Sequence, residues 1–117
     1  MLNTEDTALL LAVMLRRSGK TRGRISDITL KTISKRKHLR AAFRNGVADW
    51  TAEFGVQMYP LERGGYGLLA ASSLEGAPVL KAAELLKKEL AAFKKTGTLK
   101  HDALYEELGL EVDETEE

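Results

Sequence analysis

Five bases and an amide crowd one short stretch: Lys35, Arg36, Lys37, Arg40 and Arg44, with Asn45 directly after. Guanidinium and ammonium groups at this density suit a polyanion. An arginine fork can grip a phosphate or a planar base edge through two hydrogen bonds. A carboxamide donates and accepts at once, so it can match a mixed pair of partners. The stretch belongs to a larger block. From Arg16 to Arg44 the bases are Arg16, Arg17, Lys20, Arg22, Arg24, Lys31, Lys35, Arg36, Lys37, Arg40 and Arg44, against Asp27 alone, so the block carries 11 − 1 = +10. The whole chain is only +1, because acids gather elsewhere, most densely in the 111–117 tail. Chance clustering on a solvated face is the bland reading. An imbalance this lopsided argues against it.

Other chemistries find little support. The chain has no cysteine, which excludes disulfides, thiolate metal sites and thiol nucleophiles together. Ser18-Gly19-Lys20-Thr21 looks like the end of a phosphate-binding loop, but Met14 stands where that loop needs glycine, and a helix is expected before it. Gly64-Gly65-Tyr66-Gly67 reads as a turn, because no βαβ unit surrounds it. His38 and His101 have no metal-ligand spacing. No nucleophile, base and orienting acid form a known motif, so no enzyme, cofactor, metal site or small-molecule ligand is expected. The apolar run Ala8 to Leu15 is too short to span a bilayer, and Glu5 and Asp6 stand where a secretory signal would carry bases. A soluble, cytoplasmic protein is the expectation.

The elements that must position the basic block follow from periodicity. Asn3 or Thr4 should cap a first helix, with Glu5 and Asp6 in its first turn, Arg16 and Arg17 near its end and Gly19 stopping it. Leu9, Leu10, Leu11, Val13, Met14 and Leu15 are apolar nearly all round, which predicts burial on all sides. Residues 20–24 read as a basic loop. Ser26 or Asp27 should cap a second helix carrying Ile28, Leu30 and Ile33, with a break between Ser34 and Lys37. Leu39, Phe43, Val47, Trp50 and Phe54 recur at steps of four, four, three and four, the stripe of a third helix over 37–54. Lys37, Arg40, Arg44 and Asn45 fall off that stripe and should face outward. Gly46 marks either a close approach or a bend, and Trp50 and Phe54 read as core. Residues 56–61 and 66–72 read as two strands around an Arg63-Gly64-Gly65 turn, with Pro60 demanding an edge and Tyr59 and Tyr66 paired across the strands. Pro78 to Lys95 should form one helix ending at Gly97, with Glu84 and Lys88 paired, followed by a short helix over 102–108.

Helix, helix, basic amphipathic helix and Gly-Gly hairpin, in that order over about Thr4 to Ser73, resemble the winged helix-turn-helix superfamily. Arg24-Ile25-Ser26 would supply its short strand between the first two helices. The resemblance implies that the third helix enters the major groove of double-stranded DNA and that the hairpin touches backbone or minor groove. Arg40 and Arg44 would then read bases, since arginine matches guanine and asparagine matches adenine. Asn45 joins them on the polar face. Arg36, Lys37, Arg22, Arg24 and Arg63 would meet phosphates, and Lys35 belongs to the same DNA-binding polar face.

The expected fold is therefore mostly α with a small β-hairpin. Residues 1–76 form the winged helix-turn-helix domain, 77–110 a helical extension and 111–117 an acidic tail. The extension has more apolar surface than one contact needs, so it either returns onto the first helix or pairs two chains; a homodimer is the expectation. The tail is a solubilising end or a competitor for the basic surface. The expected function is a sequence-specific transcriptional regulator. A low-specificity accessory nucleic-acid protein and a winged-helix protein adaptor stand as alternatives.

Overall fold

The computed structural model describes residues 1–111. Among them are six α-helices and a three-stranded antiparallel sheet. The chain divides into a unit of Met1–Ala77 and a unit that begins at Pro78. No helix is long and apolar enough to cross a membrane.

In the first unit, α1 spans Thr4–Arg17. Its start is closed by Asn3, whose Oδ1 accepts from the Asp6 amide at 2.7 Å. Thr7, Ala8, Leu11 and Leu15 are buried at helical spacing. Burial on all sides does not occur: Leu9 and Leu10 are each 46% exposed. Only one face of α1 meets the core, because the neighbouring helix and sheet cover one side.

Strand β1 (Arg22–Ile25) follows, where a basic loop was expected through residue 24. It pairs antiparallel with β3 (Tyr66–Ala70), so the sheet has three strands rather than a lone hairpin. β2 (Val56–Pro60) lies on the other side of β3, giving the order β1-β3-β2. Pro60 thus sits on an edge strand, as its missing N–H requires. The turn between β2 and β3 is tight. Gly65 has φ +76, and a Cβ there would stand 2.4 Å from the Ile25 carbonyl oxygen, so only glycine fits.

Between β1 and β2 lie α2 (Asp27–Ser34) and α3 (Ala41–Glu53). Ser26 caps α2 by accepting from the Thr29 amide at 3.1 Å. Lys35 ends it in the left-handed region, with φ 61. Arg40 is extended, with ψ 155, so α3 begins at Ala41, not Lys37. The apolar stripe misleads at its first member: Leu39 is half-buried against the core although it lies in the turn.

α1 and α3 cross closely, and Gly46 makes that possible. A Cβ on Gly46 would come 2.8 Å from Thr4 Cγ2. The core joins Ala8, Leu11 and Leu15 of α1, Leu30 of α2, Phe43 and Val47 of α3, and Ile25, Val56, Met58, Tyr66 and Leu68 of the sheet. Leu11 and Leu30 are fully buried, each contributing about 1.5–3 kcal/mol. The buried hydroxyls of Thr7, Ser34 and Thr51 all donate to main-chain carbonyls one turn back, which offsets their desolvation. Phe54 packs against the core as expected, but Trp50, stacked on it at 6.0 Å, is 37% exposed and lies outside the core that the stripe predicts.

The second unit differs from its expectation. Instead of one helix over Pro78 to Lys95 there are α4 (Ala82–Leu85) and α5 (Lys87–Thr96), broken at Leu86 with φ −120 and ψ 23. The break parts Glu84 from Lys88, and Glu84 meets Lys81 at 3.9 Å instead. Gly97, with φ 72, ends α5 as expected. α6 spans His101–Glu107. No described residue of this unit is buried. The acidic run of 111–117 lies, beyond Glu111, outside the described residues.

Candidate nucleic-acid interface

The expected site residues come from three pieces of backbone: β1, the α2–α3 turn with the start of α3, and the β2–β3 turn. On β1, Ile25 is buried and Gly23 faces the side chain of Leu15, so Arg22 and Arg24 point to the opposite face of the sheet. The register sets Arg24 across Gly67 from Tyr59, and Arg22 across Leu69 from Gln57. Tyr59 is therefore on the outer face, 52% exposed, while Tyr66 is buried on the inner face. The two tyrosines do not pair, because Tyr59 opposes Gly67 and Tyr66 opposes Pro60. At the hairpin, Arg63 and Arg24 line one concavity with Ser26, Leu61 and Glu62. Arg63 is thereby brought beside the start of α2 rather than projecting alone.

The α2–α3 turn holds cations of two kinds. Lys35, Lys37 and His38 are exposed. Arg36 turns inward. Its guanidinium donates to the Leu2 carbonyl at 3.0 Å and lies 3.9 Å over the Phe43 ring. The expected phosphate contact is thus a brace between the N-terminal segment and α3.

Arg44 is likewise committed internally. Its Nε donates to the Leu39 carbonyl at 2.9 Å, and Nη1 donates to the Tyr66 hydroxyl. The same nitrogen lies 3.6 Å from Asp27 Oδ1. Three elements meet in this cluster: α3, α2 and β3. Arg44 is not free to read a base edge, so the expected role is corrected. Asp27, the one acid within the +10 block, was the signal in the sequence: a lone carboxylate among eleven bases finds a partner.

The outward face of α3 is not cationic. Its exposed residues are Ala41, Ala42, Asn45, Asp49, Trp50, Ala52 and Glu53. Within Ala41–Glu53 there is one base and there are two acids, a formal charge of 1 − 2 = −1. The cations stand before the helix. Arg40 occupies the N-cap position, exposed, with no side-chain cap bond and no acid in the first turn. The first amides of α3 therefore lack the side-chain acceptor that α1 and α2 possess. Orphan amides, the positive end of the helix dipole and an arginine converge there, an arrangement suited to an anion.

Comparison with protein-family models, with curated proteins and with solved structures finds no match to this chain.

Proposed function

We propose that the Met1–Ala77 unit is a winged helix-turn-helix that binds double-stranded DNA, in a cytoplasmic, sequence-specific transcriptional regulator. The element order α1-β1-α2-α3-β2-β3, with β1 beside β3, supports the likeness to that superfamily. The observation that carries the DNA reading is the start of α3. An arginine in the N-cap position of an uncapped, acid-free helix start is unfavourable unless an external anion neutralises it. A phosphate of the duplex backbone is that anion. Lys35 and Lys37 extend the contact along the backbone, and Arg24 and Arg63 meet the duplex from the hairpin side. Arg40 serves the phosphate instead of a base edge, and Asn45 takes the base-reading role. Arg36 and Arg44 hold the surface in shape.

The test is fluorescence anisotropy of the full chain with labelled duplexes across a salt series. Five phosphate contacts imply a slope of log K against log[salt] of roughly −4.5. Absence of duplex binding at about 100 mM salt ends this reading. An acidic protein bound in place of DNA would then favour the adaptor alternative.

Residues 78–111 support homodimerisation. Leu86, Leu90 and Phe93 of this unit are 46–49% exposed, and no described residue beside them is buried. Sedimentation should show a dimer that the double substitution Leu90→Ser, Phe93→Ser dissociates; a monomeric wild type removes the dimer from the proposal.

A further inference from the structure

We infer that α3 recognises A·T base pairs, with Asn45 on an adenine edge and the methyls of Ala41 and Ala42 against thymine. This rests on the DNA reading above and names what that surface prefers.

With Arg44 bound to Leu39, Tyr66 and Asp27, no guanidinium within the helix is left to match guanine. What remains exposed at the N-terminal half of α3 is Ala41, Ala42 and Asn45. Helical neighbours sit three and four residues apart. For Asn45 these are Ala42, Ala41, Ala48 and Asp49. Three of the four are methyl groups, so the carboxamide stands clear of any long side chain. The side chain of Asn45 makes no hydrogen bond within the described residues, and its donors and acceptor are free to work together. Asp49, one turn on, repels phosphate. The surface around Asn45 therefore suits base edges better than backbone.

The chemistry of the pairs follows. An asparagine amide matches adenine, Nδ2 donating to N7 while Oδ1 accepts from the N6 amino group. Alanine offers an apolar contact to the thymine C5-methyl, and its small size lets the helix axis come close enough for Asn45 to reach. Asn45 is the specificity-determining residue, and Arg40 lies at the edge of the same footprint.

The experiment begins with selection of bound duplexes from a random pool, using the full chain. The expected result is a required A·T pair at the position that Asn45 reads. In the selected duplex, 7-deazaadenine at that position removes the N7 acceptor and should weaken wild-type binding by about 5- to 100-fold. Uracil in place of the adjacent thymine removes the methyl and should weaken it further. Asn45→Ala should bind less tightly and lose its response to 7-deazaadenine, so the two changes do not add. Circular dichroism melting controls for folding; alanine at this exposed helical site should keep the transition. Selected sites whose required pairs are all G·C, or an Asn45→Ala protein that still senses 7-deazaadenine, overturn the inference and leave DNA binding standing. If no duplex is selected, both readings fall.

Discussion

The starts of α1 and α3 are built in opposite ways. At α1, Asn3 accepts from the Asp6 amide, and Glu5 and Asp6 place negative charge against the positive end of the helix. At α3, Arg40 makes no cap bond and no acid follows it. α2 sides with α1, since Ser26 caps it and Asp27 opens it. Two helices of the unit thus satisfy their own termini, and the third does not. The difference is affordable because α3 is held by its underside. Phe43, Val47 and Thr51 are buried, and Gly46 lets the helix seat against Thr4. Burial of one large apolar side chain, about 1.5–3 kcal/mol, exceeds the 0.3–1 kcal/mol of a wrongly signed charge at a terminus. An element so anchored can keep an unfavourable end exposed for a ligand.

Arg40→Asp attacks this contrast most strongly. It gives α3 an acceptor for its amides and a charge of the right sign, as at α1. Stability should rise by about 1 kcal/mol, or about 4–8 °C in melting temperature for a unit of this size. Duplex binding should fall by about 10- to 100-fold, since one phosphate contact is replaced by repulsion. Gain of stability with loss of binding is the pattern that marks a functional terminus. A lower melting temperature for Arg40→Asp, measured by circular dichroism, would mean that the chain already satisfies the start of α3.

How far these features are legible in the sequence depends on range. The start of α1 was legible because cap, acids and apolar run lie within a dozen residues. Ser26 and the Gly97 stop were legible for the same reason. The start of α3 was not. Leu39 keeps step with Phe43 and Val47, yet it reaches the core from an irregular turn. The pattern reports that a residue is buried, not that it is helical. The inward commitment of Arg44 is a longer-range effect: its partners Asp27 and Tyr66 lie 17 and 22 residues away, on other elements. β1 needed still more, since Arg22 pairs with Leu69. The second unit shows the opposite case. Periodicity and propensity predicted one continuous helix, and the chain breaks at Leu86 with neither proline nor glycine there. Propensity is a weak prior where no core fixes the outcome.

Asn3→Ala probes the satisfied end of the comparison and should give the smaller change. The substitution removes the Oδ1 that accepts from Asp6, leaving the α1 amide without its partner. The backbone carbonyl of Asn3, which accepts from Thr7, is untouched. The expected cost is about 1 kcal/mol, within the usual range for a lost asparagine cap. Trp50 is the sole tryptophan and lies in α3 of the same unit, so its fluorescence reports the unfolding of that unit directly. Duplex affinity should stay the same, because Asn3 carries no charge and belongs to no part of the basic surface. Arg40→Ala supplies the matching control. It deletes no cap bond, so its unfolding midpoint should hold within about 0.5 kcal/mol. A loss as large as that of Asn3→Ala would show that Arg40 supports α3 in the free protein, and the asymmetry between the two helix starts would vanish.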